Sequence, residues 1–280
     1  MLLTRFGKDK RAISPAISTV ILTSAVVVML LVTIVFANNF LNARMAENEF
    51  STMKQFMQTV GLQIDDVAWT VGRTQTVRYA SKYGEVNFES LALNYTVYLN
   101  KTGGYTYFAS YSVGILLFNM HIYKYSIGND YYGLISPSSD GAFLQKGASA
   151  PVCYIYVIEK LPMNDGNFIR VVAAPSLRVL NSTISTGGES KNYFKFYLPI
   201  LSQGSHPRRS QSVTLSGSSI SAKTEACNTI KITVTFPKAS LGFNADFFRF
   251  KNTEEIVDVP DGSVIEFYTA EVITSLGLHI

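Results

Sequence analysis

The residues of this 280-residue chain whose types and spacing could carry chemistry are few. Three N-x-[ST] triplets, Asn94-Tyr95-Thr96, Asn100-Lys101-Thr102 and Asn181-Ser182-Thr183, offer an amide for N-glycosylation if the chain is exported. Asn94 and Asn100 fall on the polar face of one alternating segment, where a sugar has room, although an ordinary solvent-facing Asn reads the same way. Cys153 and Cys227 are the only cysteines, a candidate disulfide in an oxidising compartment. A free Cys in a core behaves instead as a small apolar residue. The acidic turns at Asn164-Asp165-Gly166-Asn167 and at 258–261 carry oxygen ligands for calcium but lack the full loop spacing, which favours plain turns. His121, His206 and His279 are scattered and form no metal constellation. Tyrosines at 105, 107, 111, 123, 125, 131 and 132 would form an adhesive or sugar-stacking surface if exposed, and alternation within strands favours core and cross-strand packing. No H-E-x-x-H, G-x-S-x-G, phosphate-loop or kinase signature is present, and Ser and Asp without a placed base supply no nucleophile. The expectation is a non-enzymatic protein with no catalytic residues, no metal and no cofactor.

Charge narrows the partners. The formal net charge is +4, from 24 Lys plus Arg against 20 Asp plus Glu. Five of the basic residues and one acid lie in the first 44 positions, leaving 24 − 5 = 19 and 20 − 1 = 19 of each sign afterwards. A neutral body without a basic stripe argues against nucleic acid, which is bound through clustered Lys and Arg. With 47% apolar and 16% charged residues, the chain is too apolar to be disordered.

Those elements begin with an uncharged stretch between Arg11 and Arg44, containing the run ISPAISTVILTSAVVVMLLVTIVFA over 13–37. As a helix, 25 residues reach roughly 37 Å, enough for a hydrocarbon core of about 30 Å with some tilt. Its Ser and Thr hydroxyls can bond back to the helix's own carbonyls. Arg5, Lys8, Lys10 and Arg11 precede the run, whereas Arg44 after it is answered by Glu47 and Glu49, so the positive-inside rule keeps the N-terminus cytoplasmic and exports the body. A cleaved secretory signal, with Val35-Phe36-Ala37 as the small-residue site, conflicts with the length of the run. A plain signal anchor is the second possibility.

The third rests on Lys10-Arg11-Ala12-Ile13-Ser14-Pro15, a short charged leader and a small residue directly before the apolar run. This junction resembles the class III signal of type IV pilin-like proteins, and KRAISPAISTVIL is similar in particular to the archaeal type IV pilin N-terminus. The resemblance covers about 25 residues. It implies cleavage between Ala12 and Ile13 by a prepilin peptidase-like enzyme on the cytoplasmic side, retention of the span, and self-assembly of subunits through the N-terminal helix. Ser14 is a good N-cap and Pro15 suits the first turn, so a helix would start just behind that cut. One departure is Ile17, which stands at the fifth mature position, where many pilins of bacterial type carry Glu.

Beyond the span, Ala46, Phe50, Met53, Met57, Val60, Ile64, Val67 and Val71 recur in alternating steps of four and three, an apolar helix stripe. Glu47, Glu49, Lys54, Asp65 and Asp66 lie off it. Without a proline from 16 to 72, span and stripe can form one helix over 13–72, with Gly61 a weak point and Gly72 its end. The stripe is expected to pack on the chain's own body. Phe40, Leu41, Phe56, Leu62 and Trp69 lie off it, so more than one side of the helix needs a partner.

After Gly72 the period becomes two. In LALNYTVYLN, Leu91, Leu93, Tyr95, Val97 and Leu99 share a face; in NTIKITVTF, Ile230, Ile232, Val234 and Phe236 do. PVCYIYVIE, NFIRVVAA, KNYFKFYLPIL and GSVIEFYTAEVI read as further strands, some apolar on both faces. About ten strands are expected, and SQGSHPRRSQSVTLSGSSISAKT, with Arg208 and Arg209, should be the least ordered stretch. The fold expected is α+β: a cytoplasmic leader (1–12), a long transmembrane and amphipathic helix (13–72), and an all-β antiparallel sandwich head outside (73–280), as in a pilin. The function expected is a structural subunit of a pilus-like surface filament in adhesion or surface structure. The alternative is a membrane-anchored binding module that never polymerises.

Overall fold

A computed structural model describes residues 13–101, 103–137, 141–186, 189–205, 211–260 and 263–277. One long helix, α1 (Ile13–Ala68), precedes a mostly β domain. Its strands are β1 (Thr74–Arg78), β2 (Gly84–Asn100), β3 (Tyr105–His121), β4 (Tyr131–Ser136), β5 (Leu144–Lys146), β6 (Cys153–Glu159), β7 (Phe168–Pro175), β8 (Leu177–Thr186), β9 (Glu189–Gln203), β10 (Ser212–Ala226), β11 (Thr229–Thr235), β12 (Glu254–Asp258) and β13 (Val264–Leu276). A single helical turn, α2 (Ala245–Phe248), follows β11. By Cα proximity the chain divides into two units, Met1–Glu47 and Asn48–Ile280.

The strands form two sheets, ordered β1-β10-β13-β9-β8-β5 and β12-β11-β2-β3-β7-β6-β4. The second is antiparallel throughout its pairs. The first is mixed, because β9 runs parallel to β13 and β5 parallel to β8, whereas the sequence predicts antiparallel pairing everywhere. Alternation fixes which face a side chain takes, not the direction of the neighbouring strand, so nothing in the pattern could reveal this.

The main core draws on both sheets. Leu93, Tyr95, Val97 and Leu99 of β2, Tyr154 and Tyr156 of β6, Ile230 and Ile232 of β11, Phe196 of β9 and Phe267 of β13 form one buried cluster. The continuous burial of β6 and β7 has a simple cause. Tyr156, Val172 and Leu117 point into that cluster, while the alternate rows Ile155–Ala173–Leu116 and Val157–Val171–Phe118 face the other way and are also buried. The second half of α1 lies over this opposite face, with the Phe50 ring 6.2 Å from that of Phe118.

Three local expectations are corrected. Leu91 is 54% exposed with φ 55°, because the β2–β3 register shifts between Glu89 and Leu93 and turns it off the core face. The Ser-rich stretch forms β10, one of the long strands: Val213 and Leu215 are buried while β13 supplies a pairing partner along its length, with a bulge at Gly217/Ser219. Arg208 and Arg209 lie outside the described residues. α1 ends at Ala68 rather than at Gly72, and Gly72 takes φ 82° in the turn that follows, its N–H donating to the Gly217 carbonyl at 2.8 Å.

Candidate functional site

α1 carries two surfaces of different chemistry. From Ile17 to Met45 its apolar side chains are exposed, and over the consecutive positions 26–32 each is 49–69% exposed, so every side of the helix is apolar. This segment is long and apolar enough to cross a membrane. Two of its hydroxyls are absorbed within the helix, since Thr23 donates to the Thr19 carbonyl at 2.9 Å and Thr33 to that of Met29 at 2.7 Å. Arg44 ends the uncharged stretch, lying 5.3 Å from the Phe40 ring and 2.7 Å from Glu47. Ile13 opens α1; Ala12 and the leader lie outside the described residues.

Further along, Phe50, Met53, Met57, Val60, Ile64 and Val67 are all buried, so the stripe packs on the body of its own chain. Val71 is the exception at 59% exposed, because the helix has ended three residues before it. Phe56 joins the packing, 5.0 Å from the Tyr79 ring, while Leu62 faces solvent. Gly61 is not a break. A Cβ there would stand 2.9 Å from Ile155 Cδ1, so its missing side chain lets the helix approach β6 closely. At the helix end, a Cβ on Gly217 would meet the Val67 and Thr70 carbonyl oxygens at 2.6 Å, which makes glycine the residue that admits the end of α1 against the β10 bulge.

Polar clamps hold the same half of α1. The Glu49 carboxylate accepts from the Ser81 hydroxyl at 2.6 Å and from the Lys82 and Tyr83 N–H groups, each at 2.9 Å. Asp65 accepts from Trp69 Nε1 at 2.8 Å and pairs with Arg178 at 2.9 Å, and the Trp69 ring meets Tyr197 edge-on at 5.1 Å. Arg73 pairs with Asp66 just past the helix end. A cleft of about 450 Å³ opens beside α1, lined by Gln55, Thr59, Leu62 and Asp65 on the helix and by Ser136 and Cys153 opposite. Its chemistry is muted: Asp65 is already paired, and burial pushes the Cys153 thiol well above its ordinary value, so no thiolate forms near neutral pH.

Cys153 opens β6 and Cys227 lies between β10 and β11; both are buried free thiols, and no bridge joins them. Asn94 and Thr96 share the outer face of β2, where the Asn94 Oδ1 accepts from Ser110 and Ser112 at 2.9 and 3.3 Å. Asn100 ends β2, its Oδ1 accepting from the Gly104 N–H at 3.2 Å; Thr102 of its triplet lies outside the described residues. Asn181 is exposed on β8. The tyrosines divide: Tyr105, Tyr107 and Tyr123 are exposed, whereas Tyr111 stacks on Phe267 at 5.3 Å and Tyr125 lies 5.2 Å from Phe50. Asp165 is held bidentately by the buried Arg170 at 2.6 and 2.8 Å, and Asn164 donates to the Ser240 carbonyl, so that turn is tied internally. Asp258 ends β12, and Asp261 lies outside the described residues, as do His206 and His279. His121 stacks on Tyr123 at 5.0 Å and meets the Phe168 ring at a tilt at 4.3 Å. Among the described residues, no three His, Cys, Asp or Glu side chains converge as a metal set.

Sequence reasoning missed the Glu49 clamp, the Asp65–Arg178 pair and the role of Gly217. All three join residues at least thirty positions apart, and only an acidic residue at the edge of the helix stripe could have hinted at the first two. No family model, curated protein or solved structure matches the chain.

Proposed function

We propose that this chain is an exported, membrane-inserted precursor that matures into a structural subunit of a type IV pilin-like surface filament, with the two sheets forming a β-sandwich head outside the cell. The observation that carries the reading is the first part of α1, apolar on every side and exposed throughout 17–45, on the same helix whose next six turns are docked. Such a surface is stable in lipid, and it can exchange lipid contacts for packing against like helices. The junction Ala12-Ile13-Ser14-Pro15 supports removal of the leader with retention of the span. A shared core between the sheets supports the sandwich. The roles that follow are adhesion and surface structure, without catalysis.

Ile17 at the fifth mature position favours the second reading, a permanent membrane anchor displaying a binding module, since it supplies no carboxylate for subunit docking. The mature N-terminus decides between them, read by mass spectrometry on membrane and surface fractions. A start at Ile13, followed by filaments in electron micrographs, is the expected result. An intact Met1 selects the permanent anchor, and a start at Asn38 removes the span; either overturns the filament.

A further inference from the structure

The fold separates the three acceptor triplets. Asn94 lies between Thr235 of β11 and Ser112 of β3, and its Oδ1 already accepts from Ser110 and Ser112. Asn100 is tied at the end of β2, its Oδ1 accepting from the Gly104 N–H and its carbonyl from the Asn228 N–H at 3.0 Å. Both are half-buried. Asn181 is exposed, and its side chain makes no hydrogen bond among the described residues. β5 covers β8 only over Leu177–Val179, so Asn181 stands where the outer edge of its sheet has no strand partner among the described residues. From 180 to 186 that edge carries neither charge nor proline, the usual guards against pairing with another chain, so a bulky group on Asn181 would also protect it.

Asn181 lines a cleft of about 590 Å³ between β8 of one sheet and β12 of the other. The floor is apolar. Val179 and Phe194 belong to the main core, and Phe194 is the cross-strand partner of Asn181. Across the cleft, Ile256 is 52% exposed. Lys146 and Asp258 stand beside them, both exposed and neither in an ion pair among the described residues. A pyranose presents C–H faces and hydroxyls, which suit an apolar floor with one free donor and one free acceptor beside it.

We propose that Asn181 is the N-glycosylated residue of this chain and that its first sugar seats in the β8–β12 cleft, covering Phe194 and Ile256. In the transfer, Asn181 Nδ2 bonds to the anomeric carbon of a glycosyl phosphate, the anomeric C–O bond breaks, the phosphate leaves with that electron pair, and the amide gives up one proton. The assignment rests on the exported reading, common to the filament precursor and the permanent anchor, because this transfer modifies secreted chains. Its test uses the full chain from the cells that make it, with the three acceptor peptides read by mass spectrometry. Intact cells are also treated with a membrane-impermeant amine reagent, which reaches the exposed Lys191 and Lys223 only if the body is outside. A glycan on Asn181, with Asn94 and Asn100 bare, is expected; Thr183→Ala should abolish it and Thr183→Ser keep it. Without the glycan, oxidation of Ile256 by hydroxyl radicals should rise about threefold, since a seated ligand covers most of the surface it meets, while Leu241, exposed elsewhere, keeps its rate. An unchanged Ile256 overturns the seat. A glycan on Asn94 or Asn100 with Asn181 bare overturns the site, as does a bare chain whose lysines are labelled from outside. Lysines that stay unlabelled in a bare chain overturn the exported reading and the site with it.

Discussion

The two parts of α1 share one backbone geometry, yet they solve opposite problems. Over 17–45 the apolar side chains surround the helix and none is buried; over 50–67 all but Leu62 are buried, packed on a side of the helix that meets β3 and β6. A stripe with a polar reverse is the mark of a helix that has found its partner within the chain, and an apolar surface all round is the mark of one whose partner is outside it. Apolar content and its angular distribution change together along the helix, and it is the one-sided distribution that marks the part docked on the body.

The sharpest way to break the comparison is to place one carboxylate in each part. Val60→Asp would bury an unpaired charge under the sheet and should cost about 4 kcal/mol or more, enough to unfold the body. Val28→Asp should leave the body's thermal midpoint unchanged while costing about 3 kcal/mol of insertion, seen as loss of carbonate-resistant membrane association. Equal midpoints for the two variants would show that the buried stripe does not support the body.

Two glycines test how tightly the docked part is held. At Gly217 the obstructing atoms are backbone carbonyls, which cannot swing away, so Gly217→Ala should cost about 2–3 kcal/mol in denaturant unfolding. At Gly61 the obstruction is the far end of Ile155, and Gly61→Ala should cost about 1 kcal/mol, with a gain in helix propensity offsetting part of the crowding. The reverse order would mean that the helix end, not its middle, is the adaptable contact. Glu49→Gln removes the charge behind three hydrogen bonds to 81–83 and should cost about 1–2 kcal/mol, with amide exchange of Lys82 and Tyr83 accelerated before that of the sheets.

Much of this contrast was legible before any coordinates. The four-three spacing located the buried stripe from Phe50 to Val67 because a helix imposes that period on whatever it packs against, and the uncharged run marked the other part by length alone. Val71 continued the spacing past the real helix end, since three turn residues preserve a period by accident. Leu91 failed because it sits inside the irregularity between Glu89 and Leu93, where φ 55° turns it off the face that Leu93, Tyr95, Val97 and Leu99 keep, and the Ser-rich β10 failed because pairing with β13 supplies order that its own side chains do not advertise. Glu49, Asp65 and Gly217 were invisible because their partners, Ser81, Arg178 and the Val67 carbonyl, are neighbours only after folding.

The smallest effect is the most informative about where one regime ends. Leu62 is 69% exposed, as much as the apolar residues of the run, yet it sits among Gln55, Gln58, Thr59 and Asp65 on the open side of the docked part. A single exposed Leu in polar company is ordinary on a soluble surface, so Leu62→Gln should change stability by less than about 0.5 kcal/mol and leave membrane association untouched. If instead that substitution weakened membrane association as expected for Val28→Asp, the lipid-facing surface would extend about four turns past Glu47, and the boundary set by Arg44 and Glu47 would lie in the wrong place.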